Sequence, residues 1–418
     1  MKITVPRGTK DILPDEIHLW QWVEGKAKQL FQSYGYSEIR TPIFESSELF
    51  QRGIGELSDI VSKEMYTFTD RSERSLTLRP EGTASVARAY INHNLYRHQP
   101  KSKLFYCGPM FRYERPQAGR YRQFHQIGIE NFGSSEPSTD AEAIAMAYTL
   151  FKSLGIKNLK IHLNTIGSIS CRSNISKLVQ NHLKSKNLSD LDEKFFQTLE
   201  KNPLRLLDNK SAKVQQFFED LPDIKSTLSN EAQTRFENVC NFLQSLKIPF
   251  EVNSKLVRGL DYYSHTVFEI ISDDLGAQNT VCGGGRYDNL IEELGGPKTP
   301  AFGFAFGMER LLSLIPSNKV SAKTNPIVYI AALDDNAYEV AFKLCQSIRS
   351  NNIHTIIEDQ ATSFNAAMKK ATKQQATQFI AFSSDDLKNN QVKIKSLINK
   401  SSQIVTADTL QQSIETSI

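Results

Sequence analysis

The sequence predicts a two-domain protein of the α/β (α+β) class, in which the first domain is a sheet flanked by helices. The first observation is length, because a chain of 418 residues is too long for one compact core. The second is a pair of strand-like runs, Lys103 to Tyr113 and Tyr121 to Phe132, which are joined by turn residues as in a β-hairpin. The third is a C-terminal alternation of short apolar strands with helical stretches, typical of a small α/β domain.

Composition and charge are those of an ordinary globular protein. The chain is 39% hydrophobic and 23% charged, and its net charge of +4 does not by itself indicate a nucleic-acid binder. The 5 cysteines are scattered without a CxxC pair, which argues against a cysteine zinc site and favours a reducing compartment. No apolar run has the length of a signal-peptide core or a bilayer span, so we expect a cytoplasmic protein without membrane contact.

The first domain is predicted to open with an amphipathic helix. Apolar residues from Ile17 to Phe31 recur at helical spacing, and Gly35 follows them. The next run, YSEIRTPIFE, is predicted to be extended, with Pro42 indicating an edge position or a contact surface. We expect a mobile loop over Leu49 to Asp70, then a strand in SLTLRPEGT and a helix over Ala84 to Asn92.

The remaining elements are predicted from the same kinds of signal. Thr139 and Glu142 have the spacing of a capping box for a helix that ends at Leu154 and Gly155. A polar stretch over about 168–248 is predicted to be a helical insertion, and Pro316 to Pro326 an interdomain linker. The predicted domains are therefore residues 1–320 and 327–418. Strands are expected in LKIHLN, PFEVN, YYSHTVFEI, NTVCGGG and FGFAFG, and, in the second domain, in IVYIAAL, IHTIIE, TQFIAF and QVKIK.

Charged residues concentrate around the turn of the predicted hairpin. These are Arg112, Glu114, Arg115, Arg120 and Arg122. Guanidinium groups are permanently charged and match phosphate oxygens, so the cluster favours binding of a nucleotide or a nucleic-acid phosphate. A solvated charged loop is the usual alternative for an isolated run of charge. The glycines of GGGRYD have neither P-loop nor Rossmann spacing, and no histidine cluster predicts a protein metal site.

Five segments together resemble the histidyl-tRNA synthetases, a family of class II aminoacyl-tRNA synthetases, in their bacterial form. They occur in family order, and NPLRLLDNK at Asn202 to Lys210 is a further similar segment. The resemblance implies an antiparallel class II sheet, a homodimer formed through the segment that ends in Pro42, and a C-terminal anticodon-binding domain. The five segments are TLRPEGT (Thr77 to Thr83), FRYERPQAGRYRQF (Phe111 to Phe124), RGLDYY (Arg258 to Tyr263), GGGRYD (Gly283 to Asp288) and FGFAFGMERL (Phe302 to Leu311).

The resemblance also implies a reaction and its substrates. Histidine and ATP would give histidyl-adenylate and pyrophosphate, and the histidyl group would then pass to tRNA(His), with Mg²⁺ bound together with ATP. Arg112 and Arg258 would be catalytic, because the α-phosphate and the attacking carboxylate repel each other until both are neutralised. Arg258, taken alone, is also consistent with an exposed arginine before a strand. The implied ATP-binding residues are Arg112, Glu114 at the adenine edge, Arg120 at the terminal phosphate, and Phe124 and Arg310 on the two adenine faces.

Histidine selection requires groups that pair with an imidazole, whose two nitrogens can donate or accept. The resemblance assigns these nitrogens to Glu130 and Tyr263, and it implies close backbone approach to the amino acid at Gly283 to Gly285. Phe124 and His125, taken alone, are more typical of ordinary strand residues. The implied histidine-binding residues are Glu81, Gly82, Thr83, Arg112, Gln126, Glu130, Arg258, Tyr262, Tyr263 and Tyr287.

Contacts with tRNA are predicted at two places. Arg115 and Gln117, at the hairpin tip, would approach the acceptor end, since they suit a phosphate and a guanine edge. The last domain resembles the anticodon-binding module in the order of its elements only, because Asn365 stands near the position where the family usually has a lysine. Candidate anticodon contacts are Lys369, Lys370 and Lys373, for which solvated helix lysines are the alternative.

Two other functions are compatible with part of the pattern. One is a catalytically silent paralogue, the regulatory subunit of ATP phosphoribosyltransferase in histidine biosynthesis. That paralogue generally lacks the C-terminal domain and has degraded segments in place of RGLDYY and FRYERPQAGRYRQF, whereas this chain keeps all three. The other is an RNA-binding module without chemistry, which would not need a complete imidazole pocket.

Overall fold

The computed structural model describes residues 2–55, 58–117, 119–209, 211–275, 279–316, 326–406, 409 and 413. By their internal contacts the residues divide into two compact units, Met1–Val320 and Ser321–Ile418. No helix within these described ranges is long and apolar enough to cross a membrane.

The described strands of the first unit form a large sheet and a small one. The small sheet has the order β2-β4-β3, and the large one the order β1-β5-β6-β11-β10-β9-β7-β8. The strands are β1 (Ser37–Glu38), β2 (Phe44–Ser46), β3 (Tyr66–Thr69), β4 (Ser75–Leu78), β5 (Ser102–Phe111), β6 (Gln123–Phe132), β7 (Leu159–Thr165), β8 (Glu251–Val252), β9 (Ser264–Ser272), β10 (Thr280–Arg286) and β11 (Ala301–Gly307).

Helices precede, interrupt and follow these strands. Short 3-10 turns lie at Pro203–Asp208, Gln216–Phe218, Ile224–Thr227 and Asp273–Leu275, and a π-helical turn lies at Ile60–Glu64. The helices are α1 (Ile17–Ser33), α2 (Ser47–Ile54), α3 (Thr83–Asn92), α4 (Leu95–His98), α5 (Pro137–Ser153), α6 (Ile169–Lys184), α7 (Glu193–Lys201), α8 (Ala212–Gln215), α9 (Asn230–Ser245), α10 (Leu290–Glu293) and α11 (Met308–Leu314).

The large sheet is antiparallel except at its edges, where β1 runs parallel to β5 and β8 runs parallel to β7. Its register places four segments with predicted site residues side by side. Gly303 of β11 pairs with Glu130 of β6, Gly284 of β10 with Phe304 of β11, and Gly283 with Glu269 of β9. Segments that are far apart in sequence therefore meet at the centre of one sheet.

The two faces of the large sheet carry different side chains, because successive strand residues point to opposite faces. On one face, Phe105, Ile127, Ile129, Phe268 and Ile270 are buried in a core shared with α1, α5, α9 and α11. Tyr106, Val267, Tyr263 and Tyr287 belong to a second core, packed with α3, α6 and α10. The buried residues of α1 are Trp20, Val23, Ala27 and Phe31, at the predicted helical spacing.

The second unit is a small α/β fold with the strand order β13-β12-β14-β15-β16. The first three strands in this order are parallel, and β15 and β16 are antiparallel to their neighbours. Its elements are β12 (Ile327–Ala332), α12 (Asp335–Ser350), β13 (His354–Ile357), α13 (Phe364–Lys373), β14 (Gln378–Phe382), α14 (Ser384–Lys388), β15 (Val392–Ser396) and β16 (Ser402–Val405). The last strand was not predicted.

Several local predictions are wrong, for identifiable reasons. The helix predicted to begin with a capping box at Thr139 begins at Pro137, which is suited to a first helical position. Thr139 instead shares a hydrogen bond with Ser134 over 2.7 Å, and the Glu142 carboxylate binds Lys103 over 2.6 Å. The predicted loop over Leu49 to Asp70 contains the end of α2, the π-helical turn and β3 in its described part.

The segment around Pro42, which was predicted to be extended, forms strands only on either side of this proline. Pro42 lies between β1 and β2 rather than within a strand, and its carbonyl accepts a 3.4 Å hydrogen bond from Arg79. Residues 317–325 of the predicted linker lie outside the described residues, as does Ala118 of the hairpin turn.

Candidate active site

A cavity of about 320 Å³ lies on the sheet face that carries Tyr106 and Phe124. It contains most of the residues that the sequence predicted, although they come from five separate segments. The predicted residues that line it are Glu81, Thr83, Arg112, Glu114, Arg120, Phe124, Gln126, Arg258, Tyr262, Tyr263, Tyr287 and Arg310. Two other cavities, of about 350 and 650 Å³, contain no predicted site residue.

One end of the cavity, here called the acidic end, is built around Glu130, Thr83, Tyr287 and Glu81. Glu130 is only 1% exposed and lies just behind the cavity wall. Its carboxylate accepts hydrogen bonds from the Thr83 hydroxyl over 2.7 Å and from the Tyr287 hydroxyl. A side chain at Gly303 would collide with this carboxylate, which explains the glycine opposite Glu130.

Burial determines protonation at the acidic end. It raises the pKa of Glu130 to about 8, and the charge of nearby Glu81 adds to this rise, while hydrogen bonds from Tyr287 and Thr83 oppose it. Burial also raises the pKa of Tyr287 well above its usual value, so this hydroxyl remains a hydrogen-bond donor. The acidic end therefore presents a buried, hydrogen-bonded carboxyl group that holds a proton near neutral pH.

Glu81 links the acidic end to the start of α3. Its two carboxylate oxygens accept hydrogen bonds from the backbone amides of Thr83 over 2.6 Å and Ala84 over 2.8 Å. Gly82, which lies between Glu81 and Thr83 in the sequence, does not line the cavity, and a side chain there would collide with the ring of Tyr106. The segment RPEGT thus begins the helix and fixes Glu81 and Thr83 in the cavity wall.

A second part of the cavity, here called the arginine end, is defined by Arg112, Arg120, Arg258 and Arg310. Arg112 donates a 2.8 Å hydrogen bond to the carbonyl of Pro80, and its cation lies 5.4 Å from the centre of the Phe124 ring. Arg120 forms a 2.9 Å ion pair with Glu114 across the hairpin. Arg310 donates a 3.0 Å hydrogen bond to the carbonyl of Thr280. Burial, together with nearby Arg120, lowers the pKa of Arg310.

The loop that contains Arg258 is held by the region predicted as a helical insertion. Asn202 and Arg205 donate hydrogen bonds to the Asp261 carboxylate over 2.6 and 2.9 Å. Arg172 of α6 donates to the carbonyls of Asp261 and Tyr263 over 2.8 and 3.1 Å. The segment NPLRLLDNK therefore fixes RGLDYY, and with it Tyr262 and Tyr263.

The hairpin tip lies outside the cavity. Arg115 and Gln117 are exposed, and the backbone of Gln117 pairs with that of Arg120. Arg122 lies with its cation 3.8 Å from the centre of the Tyr113 ring. His125 is bound to the Glu309 carboxylate through both its backbone amide and its ring, consistent with a structural histidine.

Sequence reasoning missed several residues that line the cavity, among them Tyr106, Glu269 and Thr280. Each belongs to a strand whose alternation looks ordinary, so no local pattern distinguishes it. The predicted approach of the amino acid to Gly283 to Gly285 stays a prediction, and groups of the protein itself also lie close to these glycines. A side chain at Gly283 would collide with Arg258, and one at Gly284 with the backbone and side chain of β11.

A buried ion-pair network lies next to the acidic end. Arg286 and Asp140 are both 0% exposed and bind each other, and Arg286 also binds Asp288 over 3.0 Å. The hydroxyl of Thr266 donates a 2.8 Å hydrogen bond to Asp140. Because Tyr287 follows Arg286 directly, this network helps to fix the hydroxyl that reaches Glu130.

The acidic residues that line the cavity already have partners. Glu114 pairs with Arg120, Glu269 with Arg258, Glu309 with the amide of His125, and Glu81 with the amides of α3. Within the described ranges, no group of three or more histidine, cysteine, aspartate or glutamate residues could hold a metal ion. The cavity thus combines a hydrogen-bonding pocket for a small polar group with several cations for a polyanion.

Comparisons with known proteins agree with this geometry. Residues 8–311 match the family model described as histidyl-tRNA synthetase, and residues 327–416 match the anticodon binding domain. The histidine–tRNA ligase of Crocosphaera subtropica is 46% identical over 403 residues, which cover 96% of this chain and 93% of that protein. The crystal structure of apo S. aureus histidyl-tRNA synthetase is similar with a TM-score of 0.83 and 35% identity, covering 99% of each chain.

A more distant structure shares the fold alone. It is described as an ATP phosphoribosyltransferase regulatory subunit/histidyl-tRNA synthetase from Bacillus halodurans C, and it is 20% identical with a TM-score of 0.68. It covers 92% of this chain and 99% of that chain.

The large sheet and its cavity define the catalytic fold of a class II aminoacyl-tRNA synthetase, and the second unit is an anticodon-binding α/β domain. The family model covers most of the chain, and the Crocosphaera relative is nearly half identical over almost its whole length. The chain belongs to the histidyl-tRNA synthetase family.

Proposed function

We infer that the chain is a histidine–tRNA ligase. It activates histidine with ATP to give histidyl-adenylate and pyrophosphate, and then transfers the histidyl group to the terminal adenosine of tRNA(His). The observation that carries this inference is that one cavity joins a buried, hydrogen-bonded carboxyl group to four guanidinium groups. An amino acid and a nucleoside triphosphate need these two environments side by side.

At the arginine end, we propose that Arg112 and Arg258 neutralise the reacting groups. An oxygen of the histidine carboxylate bonds to the α-phosphorus, and the bond from that phosphorus to the oxygen bridging to pyrophosphate breaks. Negative charge builds on the α-phosphoryl oxygens during this step, so cations fixed in advance lower its barrier. Arg120 would bind the terminal phosphate, Glu114 the adenine edge, and Phe124 and Arg310 the adenine faces.

At the acidic end, we propose that Glu130 and Tyr263 recognise the two imidazole nitrogens. Glu81 and Thr83, with Gln126, would hold the α-amino group, and Tyr262 and Tyr287 would enclose the ring. Pairing both nitrogens in a buried site would reject an isostere that lacks one of them by about 10⁴-fold, because the protein group would be left unpaired. Gly82 contributes by leaving space for the ring of Tyr106.

Mg²⁺ is proposed to enter with ATP and to be held mainly by its phosphates. This follows from the partners of the cavity carboxylates, each of which already binds an arginine or a backbone amide among the described residues. Magnesium favours oxygen ligands and often keeps several waters, so it does not require a cage of protein ligands. When bound, the ion would neutralise phosphate charge during activation.

The finer contacts with tRNA and with a partner subunit are also proposals. The exposed Arg115 and Gln117 at the hairpin tip are proposed to meet the acceptor end of tRNA(His). The acceptor end of histidine tRNA carries an extra 5′ guanosine, which these side chains would contact. If Arg115→Ala and Gln117→Ala variants aminoacylate full-length tRNA and tRNA lacking this guanosine just as the wild type does, the proposal is wrong. We further propose that the protein is a cytoplasmic homodimer whose interface includes the segment around Pro42. Two separate proposals are a helical insertion at about 168–248 and domain bounds of 1–320 and 327–418.

In the second unit the lysines proposed to contact the anticodon have different surroundings. Lys370 binds Glu358 over 2.6 Å. That ion pair commits part of its charge within the protein, whereas no ion pair is described for Lys369 or Lys373. The anticodon proposal therefore rests chiefly on the latter two lysines.

The experiment that tests the proposed function is histidine-dependent exchange of labelled pyrophosphate into ATP. We expect exchange with histidine and none with other amino acids. A folded protein that catalyses no exchange would favour the regulatory paralogue, although a cavity that keeps Arg112 and Arg258 in place supports the enzyme.

A further inference from the structure

Glu269 is a charged residue at the cavity that neither the predicted histidine contacts nor the predicted ATP contacts include. It lies on β9, and its side chain is 21% exposed. Val267, two residues earlier, belongs to the core on the cavity face of the sheet, which places Glu269 on that face as well. Its surroundings suggest a role through a neighbouring residue.

The row of residues beside Glu269 across the sheet has almost no side chains. Its cross-strand neighbour is Gly283, which pairs in turn with Ala305, and Ala305 pairs with Gly128. The floor of the cavity is therefore mostly backbone along this row. Of these four residues Glu269 is the charged one, and its neighbour on the other side, on β7, is His162.

The guanidinium of Arg258 occupies the space above Gly283. A Cβ atom at Gly283 would collide with all three terminal atoms of this guanidinium, so only glycine permits the observed position. In that position Arg258 Nη1 binds Glu269 Oε1. The Nε atom of Arg258 is buried and has no hydrogen-bond partner among the described residues.

Both carboxylate oxygens of Glu269 are engaged. Oε1 binds Arg258, and Oε2 accepts a 3.2 Å hydrogen bond from the Thr280 hydroxyl. The carbonyl of Thr280 accepts the hydrogen bond from Arg310 described above. Glu269 thus connects two cations of the arginine end through strands β9 and β10.

We propose that Glu269 is a positioning residue for Arg258, and this proposal rests on the function proposed above. An arginine side chain has several rotatable bonds, and a free one would lose much rotamer freedom on binding substrate. Glu269 holds one edge of the guanidinium, while Gly283 leaves the space that it occupies. The remaining donors of Arg258 are then aimed at the α-phosphate before substrate arrives. This is preorganisation of a transition-state contact.

Positioning predicts an effect on the chemical step rather than on binding. We expect Glu269→Gln to reduce kcat of histidine-dependent pyrophosphate exchange by about 10²-fold, the loss typical of a misplaced reacting group. The KM values for histidine and ATP should change by less than about threefold, because contacts made equally in the ground state are retained. A purely structural role would instead lower the thermal midpoint without this selective loss of kcat.

A double-mutant cycle with Arg258→Ala tests whether Glu269 acts through Arg258. If it does, adding Glu269→Gln to Arg258→Ala should cause less than about a twofold further loss, since the group that it positions is absent. If the fold-loss of kcat in the double variant equals the product of the two single-variant losses, the proposal is overturned. Rescue of Glu269→Gln by raised Mg²⁺ would also overturn it, because Glu269 would then be a magnesium ligand.

A matched control is Glu142→Gln, which removes the same charge from an ion pair with Lys103 outside the cavity. This variant should exchange like the wild type. Wild-type protein that fails to exchange would refute the proposed function itself. An active wild type with an equally active Glu269→Gln variant would refute only the positioning role.

Discussion

The acidic end and the arginine end of the cavity differ in how their charges are compensated. At the acidic end, Glu130 accepts hydrogen bonds from Thr83 and Tyr287 and, with a pKa of about 8, holds a proton near neutral pH. At the arginine end, burial and the neighbouring Arg120 lower the pKa of Arg310, because cations are crowded together. At the first end protonation removes the charge, whereas at the second Arg120 and Arg258 are paired with carboxylates and Arg112 is held by a neutral carbonyl.

Arg286 shows that arginine alone does not make a phosphate site. It is fully buried, and Asp140 and Asp288 both bind its guanidinium. Arg112, by contrast, lines the cavity and is held by a neutral carbonyl. Arg258 also binds a carboxylate, that of Glu269, but it lines the cavity as Arg112 does. Access to the cavity, and not the charge of the partner, therefore separates these arginines from Arg286.

The largest effect is expected from loss of a cation at the arginine end. Arg112→Ala should reduce kcat of pyrophosphate exchange by about 10²–10³-fold, the usual loss when one group that stabilises transition-state charge is removed. Steady-state exchange kinetics would measure it. The control is Arg71→Ala, which removes an exposed arginine outside the cavity. A loss no greater than in the control would contradict the assignment of Arg112.

At the acidic end, loss of a single hydroxyl group should weaken the binding of histidine. Tyr287→Phe removes the hydroxyl that binds Glu130 and leaves a buried carboxyl group with one partner fewer. Glu130 is proposed to bind the imidazole, so a carboxyl that has lost the donor that orients it should bind histidine less well. KM for histidine should rise by about 10-fold for each 1.4 kcal/mol of binding free energy that is lost. KM for ATP should stay nearly unchanged. An equal rise in both KM values would contradict the division of the cavity into two ends.

The last expected effect concerns stability, and it is a dependence of the free energy of unfolding on pH. The pKa of Glu130 is raised from 4.5 to about 8 in the folded chain, so between these values the folded state holds a proton that the unfolded state has lost. The contribution of Glu130 to the free energy of unfolding should therefore fall as pH rises from about 4.5 to about 8. Urea titrations of wild type and Glu130→Gln across this range would measure it. Parallel curves for the two proteins would contradict the raised pKa.

Much of the fold follows from local sequence signals. Alternation around the turn predicted the hairpin of β5 and β6, and apolar spacing predicted α1. The start of α5 was misplaced because Pro137 at the first helical position outweighed the capping-box pattern at Thr139. The short strand β16 was missed because three of its four residues are exposed and carry little periodic signal.

The site was predicted less completely than the fold, because its remaining members depend on strand register. Glu269 is one glutamate in an ordinary strand until pairing places it beside Gly283. Tyr106 becomes part of the cavity because glycines at 82 and 128 leave space for its ring. The Asp261 carboxylate in RGLDYY is bound by residues of the predicted insertion that lie about sixty positions away in sequence. No local pattern encodes these contacts.

The most direct test of the two-ended cavity is amino-acid-dependent pyrophosphate exchange by the wild-type protein and the Arg112→Ala and Tyr287→Phe variants. The proposed function predicts exchange with histidine alone, a loss chiefly in kcat in Arg112→Ala, and a rise chiefly in the histidine KM in Tyr287→Phe. Absence of histidine-dependent exchange in well-folded wild-type protein, or the same kinetic defect in both variants, would contradict it.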